Sequence, residues 1–132
     1  SAKPSAYFTP VSGWGSDNEE IYRKFKAAGF QGIFVECFKD CSDKVYTGRG
    51  EIQFNSQEQG RVELTSFSSE DQFLVFTQNF LPGWEASIDG QKVPIAKVNT
   101  VFAGIFVPAG QHNIDFSYNY WNLLTPKLIL AK

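Results

Sequence analysis

The residues of this 132-residue chain with chemistry to offer are few: one histidine, His112, two cysteines, Cys37 and Cys41, and fourteen carboxylates with no obvious grouping. His112 stands just after the turn Pro108-Ala109-Gly110-Gln111 and ahead of an alternating strand, a position that reads as fixing the turn or closing a strand end. Among the carboxylates, Asp89 precedes a glycine in a turn, Glu19 and Glu20 sit where a helix begins, and Asp115 lies on the polar side of an alternating run. Glycoside cleavage needs two carboxyl groups flanking a sugar; sequence spacing leaves open a pair such as Glu85 and Asp115, but nothing points to it. Two thiols and one imidazole fall short of the four ligands of a structural zinc site. The spacing Cys37-Phe38-Lys39-Asp40-Cys41 has three intervening residues rather than the two of the dithiol redox motif. Two free thiols or a local disulfide remain the alternatives for the cysteines. No catalytic residue, metal or cofactor is expected.

The aromatic residues are more open, because Trp and Tyr stack on sugar faces as readily as they fill cores. Trp84 follows a Pro-Gly break and heads a strand, which fits core packing or ligand stacking. Tyr118, Asn119, Tyr120, Trp121 and Asn122 mix rings with amides, and an apolar tail, Leu123-Leu124 and Leu128-Ile129-Leu130, follows them. Core closure, a membrane-interface belt and a sugar-binding platform all fit that cluster. The residues that could contact carbohydrate are therefore Trp84, Tyr118, Tyr120, Trp121 and Asn122.

Elements to position these residues follow from the punctuation. Pro82-Gly83 breaks the chain before Trp84, Asp89-Gly90 is a strong two-residue hairpin signal, and Pro108-Ala109-Gly110 makes a second reversal. A two-residue loop at Asp89-Gly90 places Ile88 opposite Gln91, Ala86 opposite Val93 and Trp84 opposite Ile95, and Pro94 puts its strand at an edge or a bulge. The run 113–120 alternates strictly and is expected to form a hairpin with 101–107, which is apolar on both faces. Residues 51–55 and 61–67 form a further hairpin about a turn at 57–60, with Ile52, Phe54, Val62 and Leu64 inward. Residues 6–9 read as an edge strand and 32–36 as a short buried strand. Between them, Ser16-Asp17-Asn18-Glu19 reads as a capping box with Ser16 as the cap, or else Asp17 or Asn18. The helix it starts runs to about Ala28 with Ile21, Tyr22, Phe25 and Ala28 on its apolar face, closed by Gly29.

About eight short strands with one N-terminal helix predict a mainly β fold, a β-sandwich or jelly-roll of antiparallel sheets. The whole chain, 1–132, reads as a single domain: a helix-containing part over 1–49, a hairpin core over 50–122 and a tail over 123–132. The composition, 42% hydrophobic and 20% charged, is that of a folded domain, and its 13 Phe, 5 Tyr and 3 Trp lean it toward strands. A net charge of -2 offers no basic surface to a phosphate backbone, so no nucleic acid partner is expected. The absence of Met implies an excised or mature piece, and no signal peptide or run of about 18 apolar residues is present.

The order Pro82-Gly83-Trp84, Asp89-Gly90, Pro108-Ala109-Gly110-Gln111-His112, and then a strand from Ile114 to Tyr118, resembles the C-terminal extracytoplasmic domain of YfhO-like bacterial membrane proteins. These are related to glycosyltransferases that use lipid-linked sugars. The chain departs from that pattern at Val101-Phe102-Ala103-Gly104, where relatives tend to carry a basic residue. The resemblance implies a non-catalytic domain outside the cytoplasmic membrane, with the membrane-embedded part of its parent protein as partner and a glycan as a further one. Any catalytic carboxylates of the parent would then lie outside this chain. A carbohydrate-binding module and a structural or adhesive sandwich domain are the other readings.

Overall fold

The computed structural model describes residues 5–37, 44–80 and 83–119. Eleven strands and one helix follow in the order β1 (Ala6–Thr9), β2 (Gly13–Gly15), α1 (Asn18–Ala27), β3 (Phe34–Glu36), β4 (Glu51–Glu58), β5 (Arg61–Ser68), β6 (Gln72–Asn79), β7 (Trp84–Ile88), β8 (Gln91–Val93), β9 (Ala96–Val98), β10 (Phe102–Val107) and β11 (Gly110–Tyr118). They form a six-stranded sheet ordered β1-β6-β10-β9-β3-β2 and a five-stranded sheet ordered β4-β5-β11-β7-β8. All pairings are antiparallel except β2 with β3, which α1 connects. The fold is mainly β and sandwich-like, as the turn spacing predicts.

Between the sheets lies the larger core. Leu74, Phe76, Ala103, Ile105 and Val107 of one sheet meet Val62, Leu64, Ala86, Ile88, Ile114 and Phe116 of the other. Strand alternation sends Phe73 and Val75 to the opposite side of β6, where they pack with Val35, Tyr46 and Val98 in a second cluster. The six-stranded sheet is thus covered on both faces, and this explains why Phe73–Phe76 and the run of β10 show no polar alternation. The segment leading into β4 is held there by Gln72, which is fully buried. Its Nε2 donates to Thr47 Oγ1 (2.9 Å), Arg49 O (2.9 Å) and Ser68 Oγ (3.1 Å), while its Oε1 accepts from Gly48 N (2.9 Å). Every polar atom of that amide is satisfied, which is what burial requires.

Several expectations need correction. β10 and β11 do not form a hairpin: β10 lies between β6 and β9, and β11 between β5 and β7. Pro108-Ala109 carries the chain from one sheet to the other. The partner of β10 is instead β9, through Asn99-Thr100, whose φ values of 50° and 66° give the two left-handed residues of a tight hairpin turn. Asn99 is held in that conformation by its side chain, which accepts from Phe34 N (2.8 Å) and donates to Gly32 O (3.1 Å). Ile88 faces Gln91 and Ala86 faces Val93 as expected, but Trp84 does not pair with Ile95. β8 stops at Val93 because Pro94 has no N–H to continue the ladder, and the chain then crosses to β9. β8 is an edge strand, where such a proline is tolerated.

At α1 the cap is Asp17, not Ser16: Asp17 Oδ1 accepts from Glu20 N at 2.8 Å. Glu20 reaches back to Ser16 N at 2.7 Å, so the reciprocal pair is shifted by one residue from the expected box. Gly29 (φ 71°) closes the helix as predicted, with Gly29 N donating to Lys26 O (3.0 Å) and Phe30 N to Phe25 O (2.9 Å). Of the expected apolar face only Ile21 is buried; Tyr22 and Ala28 are exposed and Phe25 is half-buried. The helix packs against the short strands β2 and β3.

Candidate functional site

The four turn residues Asp89, Gly90, Gly110 and His112 come together. Asp89 (φ 52°) and Gly90 (φ 84°) are both left-handed, the geometry of a tight hairpin turn. Asp89 Oδ1 accepts from Asn113 N at 2.8 Å, and its other carboxylate oxygen lies 2.6 Å from His112 Nδ1. The second ring nitrogen of His112 lies 3.0 Å from Ala109 O, in the crossover that follows Pro108. One imidazole therefore ties the β7–β8 turn to the β10–β11 connection. The hydrogen bond to Asp89 raises the His112 pKa and lowers that of Asp89, so the pair favours its charged form. Gly110 (φ 109°) supplies the backbone freedom for the chain to leave the crossover.

Trp84 and Tyr118 are cross-strand neighbours on the inward face of β7 and β11. Phe116 is sandwiched between Phe76, at 4.0 Å and 8°, and Trp84, at 4.6 Å and 7°, and Tyr118 meets Trp84 edge-on at 5.3 Å. One face of the indole is thus occupied by a core ring. Gly83 (φ 110°) brings the backbone so close to Tyr118 that a Cβ would lie 2.9 Å from the ring. Pro82, Tyr120, Trp121 and Asn122 fall outside the described residues, and so does Cys41. Cys37 is disulfide-bonded.

A polar surface that the sequence does not single out lies on the outward face of the five-stranded sheet. Alternation on β4, β5, β7 and β11 turns Asn55, Thr65, Glu63, Ser87, Asn113 and Asp115 to this side. A chain of hydrogen bonds crosses three strands, Asn55 Nδ2 to Thr65 Oγ1 at 2.9 Å and Thr65 Oγ1 to Asn113 Oδ1 at 3.1 Å. Beside it Arg61 donates to Asp115 at 2.7 Å and lies 3.4 Å from Glu63, while Lys92 pairs with Glu85 at 3.3 Å. The remaining oxygen of Asp115, Oδ1, is shielded from solvent and has no hydrogen-bond partner. Two adjoining shallow hollows, of about 350 and 190 Å³, share Ser87, Gly90 and Asp115 in their walls. At the far end of the face the Phe67 ring is 47% exposed. Fixed hydroxyl, amide and carboxylate groups on a stiff sheet can bind a ligand rich in hydroxyl groups. Glu85 and Asp115, the one carboxylate pair considered for hydrolysis, do share this face, and each is engaged by a cation.

Among the described residues no group of three His, Cys, Asp or Glu could hold a metal ion, and no helix is long and apolar enough to cross a membrane. Comparison with curated proteins and with solved structures gave no significant match. A family model described as bacterial membrane protein YfhO matches residues 25–129, from the last turn of α1 through β11, with β1 and β2 preceding the match. With most of its length matched, the chain belongs to the YfhO family of bacterial membrane proteins.

Proposed function

We propose that this chain is a non-catalytic, extracytoplasmic accessory domain of a glycosyltransferase-like membrane protein, and that it holds a glycan or polymer segment on the outward face of its five-stranded sheet. The disulfide at Cys37 is the observation that carries the location, since such bonds persist in oxidising compartments and are rare in the cytoplasm. Family membership supplies the membrane-bound parent. The pairing of Asp115 with Arg61 and of Glu85 with Lys92 supports binding rather than hydrolysis, because neither carboxylate is left as an isolated acid or base. For the glycan, the hydrogen-bonded row Asn55-Thr65-Asn113 offers acceptors and donors at cross-strand spacing, and the half-exposed Phe67 offers a ring at the end of the row.

A glycan array probed with the 132-residue chain tests the reading. Binding is expected to weaken on Asn113→Ala and on Ser87→Ala. Binding that survives both changes but is lost on Trp121→Ala would move the glycan site to the C-terminal aromatic cluster. A chain that binds no glycan would leave a structural or adhesive domain as the better description.

A further inference from the structure

The C-terminal end of α1 carries an aromatic patch for which the fold has no use. Tyr22 is 51% exposed and Phe30 54% exposed, with ring centroids 6.3 Å apart. Phe30 is also one of four non-glycine residues with positive φ among the described residues, at 61°, a conformation that is unfavourable for a bulky side chain. It packs edge-on against Phe25 at 5.5 Å, and Phe25 in turn meets the buried Phe34 at 6.0 Å, so the exposed rings stand on a rigid base. Two cations flank them: Arg23 and Lys26 are exposed on the same stretch of helix. Lys24, by contrast, is turned back to Trp14 O at 2.5 Å and to Glu20. The acidic residues Glu19 and Glu20 sit at the other end of α1.

We infer that this end of α1 seats on an anionic phospholipid surface, with Tyr22 and Phe30 entering the headgroup layer and Arg23 and Lys26 facing lipid phosphates. Rings of this kind favour the boundary between water and hydrocarbon, and basic residues beside them add attraction to anionic lipid. The size of the patch favours lipid over a protein partner. Two half-exposed aromatic rings offer roughly 200 Å² of further burial, against about 800 Å² per side for a stable protein interface. Burial of that size, together with two cations near an anionic surface at low ionic strength, suffices for measurable partitioning of the untethered chain. The seat would fix which side of the sandwich faces the bilayer, independently of any glycan.

The test is flotation of the 132-residue chain with vesicles of phosphatidylglycerol and phosphatidylcholine, compared with phosphatidylcholine alone, at low ionic strength. Binding is expected with the anionic vesicles and should fall as salt is raised. Arg23→Glu with Lys26→Glu should weaken it on the order of tenfold or more, since each cation near such a surface is worth about fivefold. Tyr22→Ser with Phe30→Gly should also abolish it, and glycine at position 30 relieves the positive φ, so the double variant should melt no lower than the parent. Absence of flotation with anionic vesicles would overturn the inference, as would flotation that survives both double variants. Capture by native membranes but not by pure lipid would also overturn it, in favour of a protein contact.

Discussion

Gly104 offers the sharpest test of the packing. It lies mid-strand in β10 with no positive φ, so an alanine there is conformationally permitted and, by restricting the unfolded chain, would stabilise by about 0.4–1 kcal/mol. Space opposes this. A Cβ at Gly104 would lie 2.3 Å from Phe73 Cζ, 2.7 Å from Phe73 Cε2 and 3.0 Å from Val98 Cγ2. Phe73 is fully buried and set against Phe106 at 4.9 Å, so its ring has no free volume to move into. Overpacking of this kind costs about 1–3 kcal/mol, which exceeds the entropic gain. Gly104→Ala should therefore lower stability by about 1–2 kcal/mol, or roughly 3–8 °C in Tm for a domain of this size. Urea and thermal melts of the single variant, of Phe73→Leu and of the double variant close a cycle. In the Phe73→Leu background the added methyl group should be neutral or stabilising. A Gly104→Ala protein that melts at or above the parent temperature, or an equal loss in both backgrounds, would refute the packing argument.

Other expectations concern the turns, the core and the cap. The His112–Asp89 clasp should give stability a pH dependence: the raised His112 pKa makes its contribution full below the ordinary value of 6.5 and lost as pH rises through the folded value, while the lowered Asp89 pKa makes its own present above 3.8 and lost on acidification. Asp89→Asn keeps a favourable Asn-Gly turn while removing the charge, so melts between pH 4 and 9 should show a flatter profile for it; an unchanged profile would exclude the clasp. Phe116→Ala should cost about 3–5 kcal/mol in urea unfolding, because it empties the buried site between Phe76 and Trp84, and a loss under 1 kcal/mol would contradict the stack. Asp17→Ala should cost about 1 kcal/mol, and Ser16→Ala clearly less; the reverse ranking would restore Ser16 as the cap.

Local chemistry made much of this fold legible in the sequence. Asp89-Gly90 can hardly be anything but a tight turn, and the alternation of β5 and β11 shows which face is buried. Sheet membership was less legible, since the strongest reversal, Pro108-Ala109-Gly110, looks the same whether the chain turns within a sheet or crosses to the facing one. The apolar run of β10 was the available clue: a strand without a wet face belongs in a sheet covered on both sides. Asn99-Thr100 carries no strong local turn signal, because Thr is a poor left-handed residue, and it is the bonds of the Asn99 amide to Phe34 N and Gly32 O, 65 and 67 residues away in sequence, that hold it so. Residues of the outward polar face were each visible as the wet half of a strand. Their assembly into one surface depends on the order β4-β5-β11-β7, which no local pattern encodes.

Location underlies the proposed role, and it can be read on the full-length protein in its own membrane. Lys92, with 70% of its side chain exposed on the edge strand β8, is a suitable reporter. Spheroplasts treated with a membrane-impermeant amine reagent should carry the label on Lys92 before lysis. Labelling that appears only once the cells are broken would put the sandwich on the cytoplasmic side and contradict the account.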